Sequence, residues 1–291
     1  MFPEDSDDND IVSTASIPKI FTLYSGGNSN CYIYDSFKVK CWGEHDYSSI
    51  ASSNPSSMSL GRGFACYLDQ SNDVSCISNR DDLDVSIPTS VESKSISQIS
   101  SGDSHICAID DNSDLYCWGS NESNQTEIPS NVSSSEISLV SSGSNHTCAL
   151  DSDGTISCWG SDDDGQTTIP STIRTKQFSK ISIGSKHSCG IDTSKNLYCW
   201  GSITVDRTVS SDNYDFLASG EHHVCAIDSS SDLSCWADSE YGFSLLPESK
   251  LNYNYLGISS GSGHTCAHTS NGKTVCWGDN ESGQLEAGTL P

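Results

Sequence analysis

Residues 142–170 read Ser-Gly-Ser-Asn-His-Thr-Cys-Ala-Leu-Asp-Ser-Asp-Gly-Thr-Ile-Ser-Cys-Trp-Gly-Ser-Asp-Asp-Asp-Gly-Gln-Thr-Thr-Ile-Pro. Two cysteines ten residues apart, Cys148 and Cys158, sit inside this stretch, and the same spacing recurs along the chain. The other pairs are Cys31 and Cys41, Cys66 and Cys76, Cys107 and Cys117, Cys189 and Cys199, Cys225 and Cys235, and Cys266 and Cys276. The first cysteines are separated by 35, 41, 41, 41, 36 and 41 residues, a period typical of solenoids and propellers. A glycine stands five residues before each first cysteine, at Gly26, Gly61, Gly102, Gly143, Gly184, Gly220 and Gly261. Six of the seven second cysteines are followed by tryptophan, and only the second unit differs, with Ile77.

The spacing has a geometric reading. A hairpin centred on residue 112 sets Cys107 opposite Cys117, Ile109 opposite Leu115 and Ile106 opposite Trp118, with alternate pairs on opposite faces. Its three-residue loop favours a left-handed third residue. Gly154, Gly272 and Asn72 suit that position, and the other four units have no such residue. Zinc knuckles use much shorter cysteine spacings, so the pairs read as seven disulfides and an oxidising compartment. Each closes a short loop and contributes about 2–3 kcal/mol in the chain-entropy model. The staples offset a core poor in large side chains.

Each unit has room for about four short strands, the fourth being the Thr-x-Ile-Pro segment. Pro88, Pro129, Pro170 and Pro247 lie twelve residues after a second cysteine, where an edge strand tolerates proline. The expected fold is all-β, a seven-bladed propeller of four-stranded antiparallel blades with one disulfide per blade. A linear β-solenoid is the competitor, and the repeat length favours the ring. Residues 1–12 read as an acidic N-terminal arm and 13–291 as the propeller. Ser13 to Pro18 is expected to complete the last blade, with Thr289 to Pro291 as the rival.

Composition narrows function. The 39 acids and 14 bases give a formal net charge of −25, which argues against nucleic acid as a partner. No apolar run approaches the ~18 residues of a membrane span, and Met1 to Asp10 lacks a signal-peptide core.

On these repeats the chain resembles the regulator of chromosome condensation superfamily over residues 17–291. It is more similar to the short-repeat branch that includes β-lactamase inhibitor protein II than to the nuclear exchange factor. The added cysteine pairs resemble extracellular members such as plant receptor ectodomains of the crinkly type. The resemblance implies protein binding through loops on one ring face, without catalysis. One implied contact set follows the repeat glycine: Asn28-Ser29, Arg62-Gly63, Asp103-Ser104, Ser144-Asn145, Ser185-Lys186, Glu221-His222 and Ser262-Gly263, with Phe64 beside them. The other follows the second cysteine: Glu44, His45, Asp46 and Tyr47, then Asp162, Asp163 and Asp164, then Asp238 to Tyr241. Within these sets the strongest candidates are Glu44, His45, Asp46, Tyr47, Arg62, Phe64, Asp103, Asn145, Asp162, Asp163, Asp164, Lys186, His222 and Tyr241.

The expected function is a secreted or cell-surface propeller that binds a protein partner. The alternatives are an inhibitor of a secreted enzyme and a self-assembling subunit of an extracellular fibre or coat. Arg174, Lys176, Lys180, Lys186 and Lys195 concentrate bases in the fifth unit and would serve such assembly. His105, His146, His187, His223 and His264 recur two residues before a cysteine; they read as structural residues bonding the next blade's backbone, and a metal collar is the lesser reading. No cofactor is expected. Asp-rich stretches at 110–111, 151–153 and 162–164 read as turn chemistry, with weak calcium binding as the alternative. Gly257 to Gly261 spells G-x-S-x-G, but in a strand rather than a nucleophile elbow, and Gly272-Lys273-Thr274 lies in a hairpin turn. Asn121, Asn124, Asn131, Asn145 and Asn280 are glycan acceptors if the source is eukaryotic.

Overall fold

The computed structural model describes residues 20–35, 37–203, 205, 213–237, 246–247, 250 and 253–286. The expected arm (1–12), both candidate closing segments and Tyr241 lie outside them. The described residues form seven three-stranded antiparallel sheets in chain order. Blade 1 holds β1 (Ile20–Gly26), β2 (Ser29–Tyr34) and β3 (Lys38–Gly43). Blade 2 holds β4 (Ser57–Leu60), β5 (Phe64–Leu68) and β6 (Val74–Ser78). Blade 3 holds β7 (Ile96–Ser101), β8 (His105–Asp110) and β9 (Leu115–Gly119). Blade 4 holds β10 (Ile137–Ser142), β11 (His146–Asp151) and β12 (Ile156–Gly160). Blade 5 holds β13 (Phe178–Ile183), β14 (His187–Asp192) and β15 (Leu197–Gly201). Blade 6 holds β16 (Tyr214–Ser219), β17 (His223–Asp228) and β18 (Leu233–Ala237). Blade 7 holds β19 (Tyr255–Ser260), β20 (His264–Thr269) and β21 (Thr274–Gly278).

The hairpin register follows the cysteines. Cys107 pairs with Cys117, Ile109 with Leu115 and Ile106 with Trp118. All seven disulfides join cysteines ten apart within one blade. The third loop residue is left-handed in every blade, at Phe37, Asn72, Ser113, Gly154, Lys195, Ser231 and Gly272. An aspartate at the start of the turn holds it whether or not glycine is present, as Asp151 does around Gly154. Asp110 Oδ1 accepts the N–H groups of Asn112 and Asp114 at 2.9 and 3.0 Å, and Asp192 and Asp228 hold their turns in the same way. The left-handed geometry also aims a carbonyl at the next blade: Ser113 accepts from Ile137 N–H and Ser231 from Tyr255 N–H, both at 3.0 Å.

The expected fourth strand does not pair among the described residues. In blade 4 the Asp162 carboxylate captures the N–H groups of Thr167 and Thr168, which a ladder would need. Proline then begins a turn rather than a strand. Pro129 caps the short helix Ser130–Ser133, and Pro170 O accepts from Ile173 and Arg174.

The core lies between blades. On blade 3 the disulfide face, with Cys107 and Ile109, packs against Val140, Ala149 and Trp159 of blade 4. Its other face, with Ile106 and Trp118, packs against Phe64, Leu68 and Val74 of blade 2. At the axis the seven repeat glycines exclude any side chain. A Cβ on Gly102 would collide with Gly143 O, and one on Gly143 with Gly184 O. Serines knit the inner strands: Ser101 N–H donates to Ser59 Oγ and Ser142 N–H to Ser100 Oγ, at 2.8 and 2.9 Å. Blade 7 meets blade 1 through the same bond, Ser25 N–H to Ser259 Oγ at 2.8 Å, so the repeat closes into a ring.

Candidate functional site

Both loop sets lie on one face of the ring. In six blades the loop after the third strand donates a backbone N–H to the loop after the repeat glycine. Glu44 bonds Asn28, Asn79 bonds Gly63, Ser120 bonds Ser104, Ser161 bonds Asn145, Ser202 bonds Lys186 and Asp279 bonds Gly263. The hairpin turns occupy the opposite face.

Three of the post-tryptophan loops share one internal design, at residues 120–126, 161–167 and 279–285. A side-chain carbonyl or carboxylate (Asn121, Asp162, Asn280) accepts the N–H five residues on. The loop glutamine (Gln125, Gln166, Gln284) accepts the N–H two residues back at 2.8 Å. A left-handed residue precedes the glutamine, at Asn124, Gly165 and Gly283. Amides replace Asp162 in two blades, so its role needs an oxygen acceptor and not a charge. Burial opposes ionisation of Asp162, yet the Thr168 hydroxyl and the Thr167 and Thr168 N–H groups hold its pKa below the usual value.

These loops latch neighbouring blades together. The Gln125 carbonyl accepts from both Thr147 Oγ1 and Trp159 Nε1 of blade 4, at 2.9 Å each. Gln166 O does the same for Ser188 and Trp200 of blade 5, at 2.7 and 2.9 Å. Gln284 O receives Asn30 and Trp42 of blade 1, at 2.9 and 3.0 Å, and so closes the ring. The histidines complete each latch. His105 Nε2 meets Thr147 Oγ1 at 2.9 Å, His146 meets Ser188 at 3.0 Å, His223 meets Thr265 at 2.6 Å and His264 meets Asn30 Oδ1 at 2.8 Å. Their partners are the next blade's side chains, which corrects the expected backbone acceptor. Since Thr147 and Ser188 spend their protons on the glutamine carbonyls, their histidines donate from Nε2–H and keep Nδ1 bare. Burial pushes the pKa down to about 4 at His105 and His264 and to about 3 at His146, His187 and His223. The glutamines and this relay were not singled out from sequence; the signal was Gln seven residues after Trp118, Trp159 and Trp277.

The candidate contact residues divide. Glu44, His45, Arg62 and Asp103 line one polar cleft of about 350 Å³ over blades 1 to 3, together with Asn28 and Arg80. Arg80 spans it, donating to the carbonyls of Arg62 and Asp103 while its Nε and Nη2 bind Asp82. Asp46, Asn145, Asp162 and Asp163 are exposed on the same face, Lys186 reaches Asp164 at 3.7 Å, and His222 lies 3.5 Å from Glu221. Phe64 and Tyr47, in contrast, are 0% and 1% exposed and belong to the packing between blades, so neither presents a contact surface. Phe64 fills the histidine position of blade 2. The bases of unit five do not form one patch: Lys186 is on the loop face, whereas Lys176 and Lys195 bind Asp192 and Asp215. All five sequon asparagines are exposed. Among the described residues no three His, Cys, Asp or Glu side chains are grouped to hold a metal ion, and no helix is long and apolar enough to cross a membrane.

The ring, its staples and its single loop face define a disulfide-stapled seven-bladed β-propeller. Residues 96–125, 137–166, 178–202 and 257–284 match the Regulator of chromosome condensation (RCC1) repeat. Blades 3, 4, 5 and 7 therefore carry this repeat. No curated protein sequence matches it. The ectodomain of the Arabidopsis thaliana receptor kinase ACR4 is 23% identical with a TM-score of 0.70, covering 90% of this chain and 96% of its own. The ectodomain of Physcomitrella patens receptor kinase CR4 is 23% identical with a TM-score of 0.68, covering 88% and 72%. Prp20p of Saccharomyces cerevisiae, described with its binding properties to Gsp1p and histones, is 17% identical with a TM-score of 0.67, covering 85% and 78%.

Proposed function

We propose that this chain is a non-enzymatic extracellular propeller that binds a basic protein surface through its loop face. The observation that carries this reading is the charge of that face. Glu44, Asp46, Asp103, Asp162, Asp163, Glu221, Asp279 and Glu281 stand there against Arg62, Arg80 and Lys186. Among the described residues exposed aromatic anchors are scarce on it, with Tyr47 buried, so recognition rests on charge more than on apolar hot spots. Seven disulfides fit an oxidising, extracellular setting, and two of the structurally similar chains are receptor ectodomains.

The test is capture from extracellular fluid on the immobilised, oxidised chain at low and high salt. A partner that binds at about 0.05 M salt and elutes by about 0.5 M supports the reading. Binding should weaken about tenfold or more in the triple variant Asp46→Asn, Asp103→Asn, Asp163→Asn, which leaves the latches intact. Capture that is indifferent to both salt and this variant overturns it.

A further inference from the structure

At the seam between blades 2 and 3 the latch fails, and its failure leaves a groove. Blade 2's loop has the same length as that of blade 3, reaching Pro88 twelve residues after Cys76. In that alignment Leu83 falls where Asn124, Gly165 and Gly283 are left-handed, and Asp84 replaces the glutamine. Leucine is not left-handed here. The loop therefore takes another course, and no carbonyl reaches the tryptophan of blade 3. Trp118 Nε1 has no hydrogen-bond partner although the residue is only 7% exposed. Its counterparts Trp42, Trp159 and Trp200 each donate to a backbone carbonyl at 2.9–3.0 Å.

Trp118 lines a groove of about 550 Å³ between the two loops, with Leu83, Pro88, Asp82, Asp84 and Glu122. A buried donor without an acceptor is costly and calls for an explanation. The geometry points to an extended basic peptide segment of a protein partner as the occupant of this groove. A backbone carbonyl of that segment accepts the Trp118 N–H, as a glutamine carbonyl does at three other seams. Its apolar side chain packs on Leu83 and Pro88, and its Lys or Arg side chains meet Asp84 and Glu122. Asp82 is already paired with Arg80 at 2.7 Å and contributes less. The inference places a specific site beyond the loop-face reading, and it stands or falls separately from the cleft at Glu44 and Arg62.

The test uses the oxidised full chain labelled with nitrogen-15 at its six tryptophans. It is titrated with acetyl-Gly-Lys-Val-Arg-Gly-amide and, in parallel, acetyl-Gly-Glu-Val-Glu-Gly-amide. The basic peptide should move one indole N–H signal downfield, saturably, and the acidic peptide should not. Trp118→Phe should remove that signal and weaken binding about tenfold, with the other five indole signals reporting that the fold is kept. Asp84→Asn with Glu122→Gln, both exposed, should weaken binding by about the same factor without disturbing the core. Three results overturn the inference: no indole signal moves, the moving signal persists in Trp118→Phe, or the surface pair binds unchanged. So does a Trp118 signal already at a hydrogen-bonded shift through a retained water. If the surface pair still captures the native partner in a salt-dependent way, the groove falls while the loop-face reading survives.

Discussion

Two kinds of seam hold this ring together. Between blades 3 and 4, 4 and 5, and 7 and 1, one glutamine carbonyl receives both an indole N–H and a side chain from the next blade, and a buried histidine completes the relay. Between blades 1 and 2, and 2 and 3, the latch is incomplete, the hydroxyl position of the receiving blade being alanine or isoleucine. Ala65 and Ile77 stand at the first of these seams, and Phe64 and Ile106 at the second. The ring fold survives either solution, because the axial glycines and serine bonds are common to both. What differs is the freedom of the loops. A latched loop must keep its left-handed residue and its glutamine, whereas an unlatched loop is free to diverge. The polar cleft and the Trp118 groove both lie at the unlatched seams.

Acid should separate the two kinds of seam most strongly. The five buried histidines are neutral when folded, with pKa values pushed down to about 3 or 4. In the unfolded chain they take up protons below about pH 6.5. Their contribution is therefore complete above pH 6.5 and is lost as pH falls from there toward the folded values. At pH 5 each costs about 2 kcal/mol, partly offset by relief of negative self-repulsion. Hydrogen exchange at pH 5 against pH 7 should show β8, β11, β14, β17 and β20 losing protection while β2 and β5 change little. Uniform loss across all blades would break the comparison.

Next in size are exchanges between the seams. Thr147→Val strips the hydroxyl from a latch and leaves the His105 N–H buried and unpaired, at a cost of about 2 kcal/mol in thermal unfolding. Phe64→His sets a donor against Ile106 and should cost about 2–3 kcal/mol. Adding Ile106→Thr should recover part of that loss; no recovery would mean that the hydroxyl is not the partner that matters.

The smallest effect at neutral pH is also the most specific. His187 has no Nε2 partner, and blade 6 faces it with Val224. Its ring packs on Gly184 as Phe64 packs on Gly61, so the shape is already suited to phenylalanine. His187→Phe should be neutral or stabilising by up to about 1 kcal/mol at pH 7 and should remove about a fifth of the acid slope. Destabilisation by more than about 1 kcal/mol would show a hydrogen bond absent from this seam.

The sequence carried the fold well where the interaction was local. Ten-residue cysteine spacing set the register at Cys107–Cys117, and alternation placed Ile106 and Trp118 together. Longer-range partners were less legible. Nothing near Thr147 announces that its acceptor is the carbonyl of Gln125, because a backbone atom has no sequence signature. Phe64 and Tyr47 looked like surface candidates through their neighbours in the loops, yet their apolar bulk is drawn into unlatched seams. The Thr-x-Ile-Pro segment of blade 4 does not join the ladder among the described residues for a similar reason, since the side chain of Asp162 takes backbone donors that a strand pattern assigns to it. For the candidate site, the family resemblance implied both loop sets and their common face, but the glutamine latches beneath them were not legible.

The difference between seams is tested most directly by a double-mutant cycle in reversible unfolding at pH 7, with His146→Phe, Ser188→Ala and the pair. The relay predicts a coupling of about 1–2 kcal/mol at this seam, against less than about 0.5 kcal/mol for His187→Phe with Val224→Ala. Equal couplings at the two seams would contradict the account.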